Sequence, residues 1–294
     1  ARRNKKSLSM EPVKNILVAL DLSSIDNHLI EYSSFLAEKV AAENVYFVHN
    51  IKKYEISELF EEELQKVNLD QLIGDELNEK IEKRFTATAN WEVLISEDSN
   101  TESLIHYIAN KYQIDLTIVG NKPATEGTGV VTAKLLRLLK CSILSVPKTA
   151  RVQLDKVWVG TDFSGHSRKS FVFAQALKSK WDLEVNAVHI FHVPMQFSPY
   201  IPREDAAQKI EKHLLQKSAK FFRKLGGAVP ENNQLIYAKD RSVSQRFLVE
   251  IEKQKPNLVI LSDKGGSNIS SLLIGSLTEE LFEESLGSPL LVVK

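Results

Sequence analysis

Short apolar runs alternate along this chain with longer stretches in which apolar residues return every three or four positions. The segment Lys14-Asn-Ile-Leu-Val-Ala-Leu-Asp21 has little polar alternation, as in a strand buried on both faces. It is followed by a helical pattern at Leu29, Tyr32, Phe35 and Leu36, then by a second run, Val45-Tyr-Phe-Val-His49. The same order returns later as Lys156-Val-Trp-Val-Gly-Thr-Asp162, a helical pattern at Phe171, Phe173, Ala174 and Leu177, and Val185-Asn-Ala-Val-His189. Late in each copy a helix precedes another run, Asp115 to Gly120 and Asn257 to Ser262, and each copy closes on Ser142 to Val146 or Pro289 to Val293. Further strands are predicted at Trp91 to Ile95 and Gln234 to Tyr237.

Such a repeat of strands and helices implies an α/β fold. We expect two tandem three-layer domains, each with a five-stranded, mostly parallel sheet flanked by helices. The predicted boundaries are 1–12 for an arm, 13–150 for the first domain and 151–294 for the second. Charged helical segments at Tyr54 to Arg84 and Arg203 to Leu225 are expected to cover one sheet edge in each copy, their charges forming solvated faces.

Composition narrows the partners. Lys plus Arg and Asp plus Glu both number 38 in 294 residues, so the formal net charge is zero. That balance offers nothing to attract nucleic acid or an anionic membrane. The one cysteine, Cys141, excludes an intrachain disulfide and favours a reducing compartment. It reads as a packing residue. No apolar run approaches the ~18 residues of a membrane span, and a cytoplasmic location is expected. The basic stretch Ala1 to Met10 reads as a flexible arm, a tag remnant or the cut edge of a longer protein.

In open parallel sheets, ligands sit beyond the carboxyl ends of the strands. After its fourth strand the second copy reads Ser262-Asp-Lys-Gly-Gly-Ser-Asn-Ile-Ser-Ser-Leu-Leu-Ile-Gly-Ser-Leu-Thr-Glu-Glu. Its glycines permit close backbone approach, and Gly275-Ser276 opens a helix whose free N–H groups suit a phosphate. The residues alone leave a second reading open, in which Ser276 caps the helix and the glycines turn the chain. No Gly-Lys-Ser/Thr triplet ends this loop, and it does not follow the first strand, which excludes the two best-known phosphate fingerprints.

The second copy resembles the nucleotide-binding branch of the universal stress protein family. That branch carries a Gly, two residues, Gly, nine residues, Gly, then Ser or Thr. Here Ser262 occupies the first glycine position, Gly265 the second, and Gly275 and Ser276 close the pattern. The opening loop Gly160-Thr161-Asp162-Phe163-Ser164 and the strand end Val188-His189-Ile190 match in order. The resemblance implies that Asp162 holds ribose hydroxyls or the adenine edge, while Thr161 and Ile190 line the base pocket. It places Lys264, Gly265, Gly275, Ser276 and Leu277 around the phosphates. His189 and His192 are expected to be structural.

The first copy keeps Asp21 in the position of Asp162 but puts Pro123 at the second glycine and Val130 at the serine. Gly127 and Thr128 offer a displaced phosphate loop, against loss or change of ligand in this half. The resulting expectation is an ATP- or AMP-binding stress-response or regulatory protein, with Mg²⁺ as a companion of ATP. No catalytic residue set or metal-ligand spacing is present, so activity beyond weak ATP hydrolysis is not expected. Pairing of the two domains through their last strands is expected within the chain, with a homodimer as a further possibility. The alternatives are a ligandless dimerisation scaffold, a cytosolic regulatory region of a membrane transporter and, below these, a slow ATPase or nucleotidyl-transfer relative.

Overall fold

The computed structural model describes residues 12–52, 59–122, 133–197, 200–226, 230–263, 277–284 and 286–294. The chain forms two compact units, Pro12–Val152 and Gln153–Lys294.

The first unit contains β1 (Asn15–Leu20), α1 (Asp26–Val40), β2 (Asn44–Asn50), α2 (Glu61–Gln65), α3 (Leu69–Arg84) and β3 (Asn90–Ser96). It continues with α4 (Thr101–Lys111), β4 (Leu116–Asn121), α5 (Ala133–Leu138) and β5 (Ser142–Pro147). The strands lie in the order β3-β2-β1-β4-β5, and every pairing among them is parallel. Ile16, Leu17 and Val18 of β1 are fully buried, as are Val45 and Phe47 of β2 and Ile118 of β4. Their continuous apolar runs follow from a sheet covered on both faces.

The second unit repeats this plan with β6 (Lys156–Gly160), α6 (Arg168–Lys178), β7 (Glu184–Phe191), α7 (Arg203–Leu225), β8 (Asn232–Tyr237), α8 (Val243–Gln254), β9 (Leu258–Ser262) and β10 (Leu290–Val293). Its strand order is β10-β9-β6-β7-β8, again parallel throughout. Residues 277–283 are also helical.

The repeat reaches individual side chains. The Asp115 carboxylate accepts the Lys14 and Asn15 N–H groups at 2.8 and 2.9 Å, and Asn257 accepts those of Asp155 and Lys156 at 3.0 and 2.8 Å. Asn100 caps α4 by accepting from the Ser103 N–H, and Ser242 caps α8 in a reciprocal pair with Gln245. The loops after β1 and β6 bend through Leu22 (φ 63°) and Phe163 (φ 58°), a left-handed conformation rare outside glycine.

One expected element is divided. The charged stretch ending at Arg84 forms α2 and α3 rather than one helix, because Asn68 starts a new helix by accepting the Gln71 N–H at 3.2 Å. Residues 53–58 of that stretch lie outside the described residues. Among the described residues no helix is long and apolar enough to cross a membrane.

Candidate functional site

In the second unit the strand order reverses beside β6, and there the carboxyl ends of β6, β7 and β9 border a crevice of about 360 Å³. Strands diverge in connection at such a point, so loops leave on opposite faces and open a gap. Gly160 and Thr161 form the floor at the end of β6, with Val188, Ile190 and Phe191 from β7 and Leu261 from β9. Ile210 and Leu214 of α7 face it one helical turn apart, as do Val243 and Phe247 of α8, and Leu277 closes the remaining side.

Gly160 is required by close packing. A Cβ at this position would stand 2.2 Å from Leu261 Cδ2 and 3.4 Å from Phe247 Cζ. The Thr161 N–H donates to the Val188 carbonyl at 3.0 Å, and its hydroxyl oxygen accepts the Phe163 N–H at 2.9 Å, which fixes the turn beyond β6. Phe163 then packs against Phe221 and Phe222 of α7, with ring centroids 6.0 and 5.9 Å away.

Asp162 is buried but does not line the crevice. Its Oδ1 accepts the Ser164 N–H and the Ser167 hydroxyl, both at 2.8 Å, at the entry to α6. Lys217 of α7 donates to the Asp162 carbonyl at 2.8 Å. Asp162 thus fixes the loop. Ser262, buried at the end of β9, also lies outside the crevice lining. Its carbonyl accepts the Thr278 hydroxyl at 3.1 Å, tying the start of the 277–283 helix to the end of β9. Lys264, Gly265, Gly275 and Ser276 fall outside the described residues, as do Pro123, Gly127, Thr128, Gly129 and Val130 of the first unit.

His189 lines the crevice, and its Nδ1 lies 2.6 Å from the Thr161 carbonyl. A carbonyl only accepts, so Nδ1 carries the proton and Nε2 is the acceptor in the neutral ring. Burial pushes the His189 pKa down, against the bond to Thr161, which favours the charged ring. His49 makes the equivalent bond to the Leu20 carbonyl at 3.0 Å, and burial lowers its pKa as well. The same bond in both units marks these histidines as braces between the first and second strands. His192 lines the crevice further out.

The equivalent place in the first unit is built differently. Asn50 stands at the end of β2 where β7 has Ile190. Its amide donates to the Asp98 carbonyl at 3.0 Å and to the Thr101 hydroxyl at 2.8 Å, while its oxygen accepts the Asp98 N–H at 2.8 Å. This latch draws the loop before α4 onto β2. Asp21, the counterpart of Asp162, is exposed and pairs with Lys122. Partial burial works to raise its pKa, but Lys122 and Ser23 together hold it below the ordinary carboxylate range.

Asp26 occupies the place of Ser167. It accepts the Asp21 and Leu22 N–H groups at 3.2 and 2.8 Å, and burial pushes its pKa up to about 7. The one cysteine, Cys141, is partly buried with its Sγ 3.3 Å from the Thr117 hydroxyl, in keeping with packing. Among the described residues no group of three or more His, Cys, Asp or Glu is placed to hold a metal ion.

The α7 and α8 walls escape a reading by strand ends and glycines alone. Their signal is the four-residue spacing of Ile210 with Leu214 and of Val243 with Phe247, which puts each pair on one helix face.

Two successive doubly wound α/β units, the second with a crevice at its switch point, define a tandem α/β fold. The universal stress protein family model matches residues 12–147 and again 153–294, and the chain belongs to that family. It is similar to a universal stress protein of Methanocaldococcus jannaschii, 26% identical over 165 residues, covering 54% of this chain and 94% of that protein. Among solved structures it resembles one from Archaeoglobus fulgidus described as a universal stress protein. The two share 16% identity and a TM-score of 0.61, with 96% of this chain and 98% of that one covered. A structure from Pseudomonas aeruginosa described as a putative universal stress protein gives 14% identity, a TM-score of 0.62 and coverage of 96% and 93%. These likenesses show the tandem fold, and the family is broadly consistent with a stress or regulatory role.

Proposed function

We propose that the second unit binds an adenine nucleotide, ATP or AMP, and that the chain is a nucleotide-dependent stress-response or regulatory protein of the cytoplasm. The observation that carries this reading is the apolar crevice beyond β6, β7 and β9. Its volume of about 360 Å³ falls within the roughly 300–1,000 Å³ of small-molecule sites. A flat purine base buries its faces against Ile190, Val188 and Leu277, beside Gly160 and Thr161. Asp162 supports the site by holding the loop that turns away from β6.

The glycine-rich segment 264–276 follows β9 in sequence, and by the family resemblance Lys264, Gly265, Gly275 and Ser276 would take the phosphates. Mg²⁺ would accompany ATP through the phosphates and water. The nucleotide acts by differential affinity for two states of the protein, not as a rapidly consumed substrate. The first unit acts mainly by stabilising the chain.

Isothermal titration with ATP, AMP and a pyrimidine nucleotide tests this proposal, with Ile190→Asp as the variant. Adenine nucleotides are expected to bind, the pyrimidine to bind at least about tenfold more weakly, and Ile190→Asp to abolish the heat, since an ionised carboxylate cannot be buried against a base without cost. Absence of any adenine-nucleotide binding to the intact chain, or full binding by Ile190→Asp, would overturn it.

A further inference from the structure

The helices that cover corresponding edges of the two sheets carry opposite charge. Residues 59–84, which hold α2 and α3, contain eight carboxylates, three lysines and one arginine. Helix α7 contains seven Lys and Arg residues and three acids. The chain as a whole is neutral, so net repulsion between copies does not mask this local segregation.

The acidic face is also apolar. Leu59 is 75% exposed, Phe60 52% and Leu72 57%, with Leu64 and Val67 exposed between them. Five large apolar side chains within fourteen residues make a cluster, whereas isolated exposed leucines are ordinary. By helical spacing Leu72 shares its outer face with Asp75, Glu76 and Glu79, all exposed. Glu76 and Glu79 pair with Lys80 and Lys83 of the same helix, while Glu62, Glu63 and Asp75 add further exposed carboxylates.

On α7 the exposed Leu215 has Lys212 and Glu211 one turn before it, and Lys209, Lys220 and Arg223 are exposed further along the helix. The opposite face of α7 is occupied, since Leu214, Phe221 and Leu225 are buried. The two outer faces are thus opposite in charge, the acidic one carrying an apolar cluster and the basic one the single exposed Leu215.

We infer that the α2–α3 face of one copy of this chain docks on the α7 face of a second copy, Leu72 and Phe60 meeting Leu215 within a ring of carboxylate–ammonium pairs. A second copy is the occupant because each chain carries both halves of the match. The contact joins unlike surfaces and is heterologous in type. Charge complementarity sets its register and makes it salt-sensitive, while the apolar centre supplies the burial. It is independent of nucleotide binding, since the crevice draws on Ile210 and Leu214 of α7 and not on its outer face.

Sedimentation velocity of the intact chain tests the inference, using two charge-reversed variants whose fold is checked by thermal unfolding. One is Glu62→Lys/Glu63→Lys/Asp75→Lys; the other is Lys209→Glu/Lys212→Glu/Arg223→Glu. The wild type is expected to self-associate at about 50 mM salt and to weaken at least about tenfold near 500 mM, where the Debye length shrinks several-fold. Each variant alone is expected to be monomeric, and an equimolar mixture to associate, because the new basic α2–α3 face then meets the new acidic α7 face. A wild type monomeric at low salt, association surviving in either variant alone, or a mixture that stays monomeric would each overturn it.

Discussion

The end of β7 and the end of β2 occupy the same place in two copies of one fold, yet one is open and the other latched. In the second unit Ile190 presents an apolar side chain to a crevice. In the first, Asn50 uses both ends of its amide to hold Asp98 and Thr101. A second difference lies beneath it: Gly160 and Leu261 of the second unit replace Ala19 and Val119 of the first, exchanging side-chain bulk between adjacent strands. A third is the side chain that holds the loop after the first strand, Ser167 in one unit and Asp26 in the other. The fold survives all three exchanges. What changes among the described residues is the bulk and polarity of the side chains at the strand ends, so a duplicated scaffold keeps its strand order while the surface at its switch point differs.

The largest effect is expected at Asp26. Its carboxyl titrates near 7 in the fold because burial penalises the charge, whereas an unfolded aspartate titrates near 4. The folded pKa is raised, so the stability this group contributes is complete below about pH 4 and is lost as pH rises through about 7. Asp26→Asn removes the titration and keeps one acceptor oxygen, so one of the Asp21 and Leu22 N–H groups, which reach separate carboxylate oxygens, loses its partner equally at every pH. Chemical denaturation at pH 5 and pH 8 is expected to show the variant gaining on the wild type by about 2.5 kcal/mol at the higher pH, since part of the loss has already occurred by pH 5. A pH-independent difference would mean that the Asp26 carboxyl is hydrated and titrates in the fold as in the unfolded chain.

Next in size is the strand exchange. Gly160→Ala forces Leu261 to move and is expected to cost about 1–3 kcal/mol, as overpacked cores do. Adding Leu261→Val recreates the Ala19–Val119 pair of the first unit and is expected to restore much of that loss. Additive costs in the double-mutant cycle would show that the two positions do not compensate each other.

The latch gives the smallest change. Asn50→Ile removes three hydrogen bonds, one of them from the Asp98 N–H, and is expected to destabilise the first unit by about 1–2 kcal/mol. Hydrogen exchange at residues 97–101 is expected to quicken selectively. Unchanged protection there would show that the loop is held by other contacts.

The alternation of apolar runs with helical spacing made the strand count and the tandem plan legible, because parallel strands buried on both faces leave continuous apolar words. Four-residue periodicity likewise placed α7 and α8, since a packed helix must keep one apolar face. The break at Lys66 to Asn68 was not legible, as acidic residues continue across it and only the Asn68 cap restarts the helix. Nor was the latch, whose partners Asp98 and Thr101 stand 48 and 51 residues from Asn50. The resemblance to the family assigns Asp162 to the ribose or adenine edge, and its Oδ1 accepts from Ser164 and Ser167 at the loop after β6. Those partners, two and five residues away, were not legible from the acid at the strand end alone.

The central claim is that one unit binds and its twin does not, and equilibrium dialysis with labelled ATP at saturation measures it directly as sites per chain. One site per chain, lost in Ile190→Asp and retained in Asn50→Ile, is the predicted result. Two sites per chain would show that the latched first unit also binds nucleotide, and none would show that the crevice beyond β6 serves some other ligand.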